Sequence, residues 1–449
     1  DFYSLNIIYM EISARTILVS LSFIGIYSVA AYAGDFSTTP TGPGDTSHKI
    51  VYIGNGDDMS HETQNQIINN FYYDQFRHFQ DPLAPYFMLM SKDGKLAMGI
   101  GGAVSVQGFY DWGGSMPTTG FIPYNIPVSG NVYSSHRYGT SIAGTTLFAR
   151  VFGHADRFGE YQLYIEGKFG GTSSNYFKLK KAYMSLNDWT LGYASSTFSD
   201  PAAQPPTVDP QGPNAEVSHT SVLLRWMHTM HKNFVAALSV ETPDLQIPEL
   251  ENRYKGCSAY MPDFAGFIQY QWDGIDQHVR LSGIVRGLEY RNLVQAQNKK
   301  ITGWGAHLST VLKPVAPLKV YGAVNVGQGI GSLMNDLQNS TMDLIGKVYE
   351  QGQMYAPLSL GWYAGLQYNF SPKVFTTIMF GEMRFLPKHQ STGMGNDLYK
   401  YGLYGAANIF WYPTSRLALA AEYNYGYRRD FDTKHHDVNR ISLLAKYSF

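Results

Sequence analysis

The chain has 449 residues, and its 34 lysine and arginine residues nearly balance its 35 aspartate and glutamate residues, so charge gives no sign of a nucleic-acid partner. Aromatic residues make up 15% of the chain and charged residues only 15%, whereas soluble domains carry about 25% charged residues. The single cysteine, Cys257, excludes an internal disulfide bond and a Cys-x-x-Cys site. This composition is typical of an all-β wall with one apolar and one polar face.

The first residues have the pattern of a secretory signal peptide. Arg15 precedes an apolar run over residues 17–29, and the small residues Ala31 and Ala33 follow at the spacing that signal peptidase requires. The alternative, a retained transmembrane helix, would need about 20 apolar residues, and this run is shorter. We therefore expect a signal peptide over residues 1–33, cleaved after Ala33, with residues 1–9 as an upstream extension.

Residues 34–93 are expected to form a periplasmic segment with one short helix. The segment begins with serine, threonine, proline and glycine residues that are typical of a linker. Between His61 and Gln80, large apolar residues recur at helical spacing, namely Ile68, Phe71, Tyr72, Phe76 and Phe79. Such a helix could plug, dock or trimerise, or it could be a merely local structure.

From Lys95 to Phe449 apolar and polar residues alternate with a period of two, which places one set of side chains on each face of a sheet. The alternation is clear over residues 358–370 and over residues 440–449. The opposite arrangement, a soluble barrel with an apolar interior, would cover a long exterior with glycine and small polar residues. The apolar face is therefore expected to contact lipid and the polar face to contact water.

The connections between these stretches alternate between tight and long. Seven tight turns are predicted near Ala155-Asp156, Asn187-Asp188, His231-Lys232, Asp273-Gly274, Pro314 to Pro317, Ser371-Pro372 and Pro413-Thr414. Longer polar connections are predicted over residues 113–138, 196–216, 242–262, 291–299, 334–353, 387–396 and 430–436. This pattern predicts an all-β fold, a transmembrane antiparallel β-barrel of about sixteen strands over residues 94–449, with short periplasmic turns and longer extracellular loops.

Two further features indicate the bacterial outer membrane. Trp189, Trp272, Trp411 and Tyr412 lie beside predicted tight turns, where an aromatic girdle would meet the lipid headgroups. The chain ends in the sequence KYSF, and a final strand with a terminal phenylalanine resembles the signal that barrel-assembly machinery recognises.

Charged side chains of the wall are expected to face the bore, because an arginine or lysine at mid-membrane on the lipid face costs about 2 to 4 kcal/mol. The candidates are the basic residues Arg150, Lys178, Lys180, Arg225, Arg280 and Arg286, with the acids Glu160, Glu166, Glu382 and Glu422. Most lie between Gly144 and Arg291, so one side of the bore is expected to be positive and to favour anions. The alternative interpretation of each residue is a solvated wall residue with no role in selectivity.

The connection from Ser196 to Glu216 contains five prolines and the acids Asp200 and Asp209. Prolines fix the backbone at little entropic cost, which suits a segment that folds into a pore as a constriction. We expect Asp200 and Asp209 to line the constriction together with the wall residues Arg150, Glu166, Lys178, Lys180, Arg225, Arg280 and Arg286.

The same loop resembles the central signature of the DcaP-like trimeric outer-membrane porins. The matching residues are Gly192, Ser196, Phe198, Asp200, Ala203, Pro206-Thr207, Asp209 and Gly212-Pro213-Asn214, followed by Leu224-Arg225-Trp226 and preceded by Phe177-Lys178-Leu179-Lys180 and Ala182-Tyr183. The resemblance implies a homotrimer of sixteen-stranded channels that admits small anionic solutes such as dicarboxylates. Where that family often carries an arginine before the Leu-Arg pair, this chain has His219 and Thr220.

Other functions have weaker support in the sequence. No Gly-x-Ser-x-Gly or His-Glu-x-x-His motif occurs, so we expect no enzyme, no cofactor and no metal. His435 and His436 with Asp432 and Asp437 could hold a cation, but a solvated loop tip is the other interpretation. The expected partners are small anionic or polar solutes, outer-membrane lipid and further copies of the chain. A ligand-specific channel and a surface adhesin or structural protein on a barrel scaffold remain as alternatives to a diffusion porin.

Overall fold

The structure is a computed structural model, and it describes residues 49–54, 67–68, 71, 75–129, 135–170, 176–231, 233–272, 276–338, 340–347, 349–386 and 398–449. Within these ranges, no helix has the length and the apolar character that crossing a bilayer requires. The predicted signal peptide lies outside the described residues.

The described residues include 22 strands and three short 3-10 helices. The strands are β1 (Lys49–Ile53), β2 (Phe87–Ser91), β3 (Leu96–Trp112), β4 (His136–Ser141), β5 (Thr146–Ala155), β6 (Gly159–Gly170), β7 (Tyr176–Leu186), β8 (Trp189–Ser195), β9 (Thr220–His231), β10 (Phe234–Glu241), β11 (Tyr254–Gly256), β12 (Asp263–Trp272), β13 (Gln277–Asn292), β14 (Gln297–Val315), β15 (Leu318–Gln328), β16 (Ile345–Gly346), β17 (Met354–Tyr355), β18 (Leu358–Ser371), β19 (Val374–Leu386), β20 (Tyr399–Thr414), β21 (Leu417–Asp430) and β22 (His435–Ser448). The 3-10 helices are Pro123–Asn125, Pro201–Ala203 and Gly331–Leu333.

Sixteen of the described strands form a closed antiparallel wall. Their order around the ring is β3, β5, β6, β7, β8, β9, β10, β12, β13, β14, β15, β18, β19, β20, β21 and β22. The last strand pairs with the first, from Asn439 opposite Trp112 to Ser448 opposite Ala103, so the ring has no open edge. The predicted barrel is therefore confirmed, and closure satisfies the backbone groups that an open sheet would leave exposed to lipid.

Side chains alternate across this wall as the sequence predicts. In β18, Leu360 is 38% exposed and Phe370 59% exposed, whereas Ser359 and Tyr363 are buried. Exposed apolar residues of this kind cover the outside of the other wall strands as well. The exterior is apolar and the interior is polar, which is the distribution that a membrane barrel requires.

Tight turns join the strands at one end of the barrel. The chain passes from β5 to β6 between Ala155 and Gly159, and Gly159 adopts a positive φ of 84° that favours glycine. The turn predicted near Asp273-Gly274 lies outside the described residues, although β12 and β13 flank it. At the other end, the connection after β13 is shorter than predicted, because β14 begins at Gln297.

The region before the barrel differs from the prediction in two ways. Strands β1 and β2 extend the sheet beside β3, with β1 parallel to β2 and β2 antiparallel to β3. Of the predicted helix, Ile67, Ile68 and Phe71 are helical, but residues 75–80 form turns, and the remaining positions lie outside the described residues. Phe76 and Phe79, which were expected on the helix, lie in the turns and pack inside the barrel against Phe267 and against Phe375 and Phe410.

Three connections at the opposite end from the tight turns fold back into the barrel. They include residues 113–129, 196–219 and 329–345, and they bury apolar side chains in two clusters. One cluster contains Phe198, Leu333 and Met334, and the other contains Phe121 and Ile126. Chain that was expected to form surface loops, apart from the proline-rich connection, therefore occupies part of the bore at this end of the barrel.

Candidate functional site

The proline-rich connection, residues 196–216, crosses the inside of the barrel and contacts the wall on several sides. Ala203 packs against Val311 and Tyr321 of β14 and β15. Further along, Val208 packs against Phe375 and Phe410 of β19 and β20. We call residues 196–216 the constriction loop, because they fold into the bore, as the proline pattern predicts.

Asp200 fixes the first part of the constriction loop to the wall. Its carboxylate lies 2.8 Å from Nε2 of His278 and 3.3 Å from Nη1 of Arg280, and Ser309 donates a hydrogen bond to it. Burial opposes ionisation, but Arg280 and His278 outweigh it and hold the pKa of Asp200 well below its usual range. The loop carboxylate is therefore charged and neutralises basic groups of the wall. Arg280 also donates to the backbone oxygen of Ser199 at 2.9 Å.

Glu422 fixes the second part of the constriction loop. It accepts hydrogen bonds from the backbone N–H groups of Val208 and Asp209 at 2.8 and 2.9 Å, and from Asn408 at 2.9 Å. Asp209 in turn accepts hydrogen bonds from the backbone N–H of Phe121 at 3.0 Å. Burial, together with the neighbouring Glu422, raises the pKa of Asp209 to about 7.

A β-bulge in β7 turns two consecutive lysines into the bore. Glu166 lies opposite Lys181 and Gly167 lies opposite Leu179, so Lys180 is the extra residue. Lys180 contacts Glu166 at 2.9 Å, and both Lys180 and Lys181 contact Asp81 of the N-terminal segment. Strict alternation predicts only Lys180 inside, so the sequence pattern does not identify Lys181 as a bore residue.

The remaining predicted arginines also face inward and have defined partners. Arg150 donates to the backbone oxygen of Phe71 at 3.0 Å, and Arg225 donates to that of Ser195 at 3.1 Å. Arg286 pairs with Asp263 at 3.0 Å, and with Asp343 of the connection that follows β15.

The nine predicted site residues thus occupy different environments. Seven are buried inside the barrel, namely Arg150, Glu166, Asp200, Asp209, Arg225, Arg280 and Arg286. Lys180 is half-buried, and Lys178 is exposed. Lys178 lies opposite Lys168, a second inward lysine that the sequence analysis did not single out.

A buried ion pair that the sequence did not predict joins β3 and β22. Arg440 pairs with Asp111 through two hydrogen bonds, and neither side chain is exposed to solvent. The two residues lie directly opposite each other in the strand register. Alternation places Arg440 inside, but only knowledge of the closing strand pair could identify Asp111 as its partner.

Among the predicted girdle residues, Trp189 and Trp411 are about half exposed on the outer face, at 52% and 50%. The prediction for Tyr412 was wrong, because its ring stacks against Phe375 at 6.2 Å inside the barrel. A bulge between Trp411 and Thr414 separates this residue from the turn that follows.

A small cavity of about 60 Å³ lies between the constriction loop and the N-terminal segment. Its lining includes Gln80, Val208, Arg416 and Lys446. In the part of the chain that the structure describes, which includes His435 and His436, no group of three or more histidine, cysteine, aspartate or glutamate residues is arranged to hold a metal.

Comparison with known proteins identifies a family and several solved structures that this chain resembles. The model of the DcaP outer membrane protein family matches residues 46–449. The crystal structure of the outer membrane channel DcaP of Acinetobacter baumannii is similar with a TM-score of 0.69 and 18% identity, over 80% of this chain and 99% of that chain. An anion-selective porin from Comamonas acidovorans has a TM-score of 0.50 and 10% identity, over 79% of this chain and 100% of that chain. Salmonella typhi OmpF in complex with daunomycin has the same TM-score and identity, over 80% of this chain and 98% of that chain.

A search of curated protein sequences gave no match. The structural likenesses, at 10% to 18% identity, show a shared fold. The family model covers most of the sequence, including the barrel and the constriction loop. The chain therefore belongs to the DcaP outer membrane protein family, and its sixteen-stranded wall is a transmembrane barrel of the outer membrane.

Proposed function

We propose that the protein is a homotrimeric porin for the passive diffusion of small hydrophilic anions, with dicarboxylates as the favoured class. The observation that carries this proposal is the basic sector of the wall, defined as Arg150, Lys178, Lys180, Lys181 and Arg225 on β5, β7 and β9. Positive groups in a narrow, low-dielectric bore raise the local concentration of anions and repel cations.

The basic sector contrasts with the wall on the far side of the constriction loop. There Glu422 faces the loop, and it accepts hydrogen bonds from the backbone of Val208 and Asp209. A bore whose basic groups are concentrated on one side has a transverse field, which orients solutes that carry both a polar group and a charge. This arrangement favours a selective but passive pathway.

Charge reversal in the basic sector tests the anion preference. We expect Arg225→Glu and Lys180→Glu, each measured separately, to move the reversal potential under a salt gradient toward cation preference in planar bilayers. Arg157→Glu is the control, because Arg157 is an exposed residue of the tight turn between β5 and β6. An unchanged reversal potential in both bore variants would remove the basic sector from the selectivity mechanism.

The same recordings test the assembly and the competing hypothesis. A homotrimer of independent pores inserts with three equal conductance steps, whereas a monomer gives single steps. Saturable block of the current by one solute would favour the ligand-specific channel, and a linear dependence on solute concentration would favour the diffusion porin.

A further inference from the structure

The N-terminal segment enters the bore at the end where the tight turns lie. Residues 75–85 form turns and bends rather than strand, and most of them are buried or half-buried. Residues 75–81 contact side chains from eight wall strands, namely β7, β9, β10, β12, β13, β19, β20 and β22. The segment therefore spans the bore from one side to the other, between the constriction loop and the end where the tight turns lie.

Basic side chains of the wall hold the backbone of this segment. Three of its backbone carbonyl oxygens accept hydrogen bonds from side chains of three different strands. Arg280 donates to the oxygen of Gln75 at 3.2 Å, and Lys181 donates to that of Phe76 at 3.3 Å. Lys446 donates to the oxygen of Gln80 at 2.8 Å. Charged donors make stronger hydrogen bonds than neutral donors. The groups that would attract anions in an open pore are thus engaged by the chain itself.

Two aromatic side chains anchor the segment on opposite sides. Phe76 packs against Val235, Ala237 and Phe267, and the guanidinium of Arg225 lies 3.9 Å from the centre of its ring. Contacts of this geometry are favourable, and more so when water is excluded. On the far side, the ring of Phe79 meets the rings of Phe375 and Phe410 edge-on at 6.0 and 5.3 Å.

Asp81 is the charged anchor of the segment. Its two carboxylate oxygens contact the ammonium groups of Lys180 and Lys181, and one also accepts a hydrogen bond from the backbone N–H of His78 at 3.0 Å. Burial opposes ionisation, but Lys180 and Lys181 hold the pKa of Asp81 well below its usual range. Two ammonium groups around one carboxylate are the arrangement that would hold the carboxylate of a passing solute.

We propose that residues 75–85 are a tethered plug that closes the bore at the end where the tight turns lie. In this proposal Asp81 holds the plug by occupying a carboxylate-binding site formed by Lys180 and Lys181. The barrel closes through β22 and β3 without this segment, so the plug can leave while the wall stays intact. Strand β2 begins at Phe87 and pairs with β3, which keeps the displaced plug attached at the mouth. This proposal rests on the proposed pore function, since a plug has a role only in a barrel that conducts.

The test compares single-channel conductance of the full mature chain in planar bilayers for wild type, Asp81→Asn and the double variant Phe76→Ala with Asp81→Asn. We expect severalfold higher conductance or longer open times in both variants. Asp93→Asn is the matched control, because Asp93 is an exposed acid at the same end whose contacts, Ser91 and Lys95, lie in its own turn. Migration of unheated samples on gels verifies that each barrel is folded.

Charge exchange provides a second test that a folding defect cannot imitate. Asp81→Lys is expected to release the plug through repulsion by both Lys180 and Lys181, and adding Lys180→Glu with Lys181→Glu to this variant is expected to return the conductance to the wild-type level. Equal, anion-preferring conductance in wild type and all plug variants would overturn the plug and leave the pore function intact. If no variant conducts although all are folded, the segment is not what closes the bore, and both proposals fail.

Discussion

Replacing Asp111 with alanine is expected to lower the free energy of unfolding by about 3 to 5 kcal/mol, because the variant leaves Arg440 charged and unpaired inside the barrel. Arg440 and Asp111 have no exposed surface, so water cannot replace the lost carboxylate. The pair also joins the first and last strands of the wall, where the ring closes. Urea unfolding of the protein in lipid vesicles measures the change.

Two controls distinguish the loss of the ion pair from nonspecific destabilisation of the barrel. Asp93→Ala removes an exposed carboxylate from a turn and is expected to change the free energy of unfolding by no more than about 0.5 kcal/mol. The double variant Asp111→Leu with Arg440→Met replaces both charges with apolar groups and is expected to recover most of the loss. A loss for Asp111→Ala as small as that for Asp93→Ala would mean that the pair is not buried in the membrane-embedded protein.

Replacing Phe380 with arginine is expected to cost about 2 to 4 kcal/mol of unfolding free energy, because this residue lies on the outer face near the middle of β19. Phe380 is 60% exposed in the isolated barrel, and its cross-strand neighbours are Ala364 and Gly405. A guanidinium at that depth has only lipid around it, apart from small side chains that offer no partner. The same urea titration measures the effect.

Phe370→Arg is the matched control for depth. Phe370 is 59% exposed on the same outer face, but it lies beside the tight turn at Ser371. An arginine there reaches the headgroups, so the expected cost is about 0 to 1 kcal/mol. Equal costs at both positions would contradict a bilayer around the middle of the wall.

The wall was predictable from sequence because its determinants are local. A period of two along each strand and a tight turn between strands identify faces and boundaries without knowledge of partners. The wall begins at Leu96 in β3 and ends at Ser448 in β22. The proline density of residues 196–216 predicted the constriction loop, and Asp200 and Asp209 of that loop are buried inside the barrel.

Features that break the period were not predictable in the same way. The bulge in β7 brings Lys181 inward beside Lys180, and the phase of the later residues changes with it. Tyr412 beside a tight turn seemed to belong to the girdle, yet it follows the inward Phe410 at a spacing of two and packs inside. For this residue, alternation along the strand predicts the correct face of the wall, whereas proximity to a turn predicts the wrong one.

The contents of the bore depend on contacts between residues far apart in sequence. Asp81 lies about a hundred positions from its partners Lys180 and Lys181, and Gln75 hydrogen-bonds to Gln271, which is 196 positions away. Composition predicted a linker and helix for this region, because no local pattern shows which barrel side chains will surround a segment. The same holds for the inward-folded connection that supplies Asp343 to Arg286.

Nitroxide scanning of β18 tests most directly whether the wall has an outer lipid face and an enclosed inner face. Single cysteines are introduced across Leu358–Ser371 in a Cys257→Ser background and labelled with a nitroxide. The collision rates of each nitroxide with oxygen and with a nickel complex are then measured in lipid vesicles. Collision with oxygen, which concentrates in lipid, is predicted to peak at every second residue, in phase with Leu360, Trp362 and Leu366. Maxima for a water-soluble nickel complex at those same three positions would contradict the transmembrane barrel.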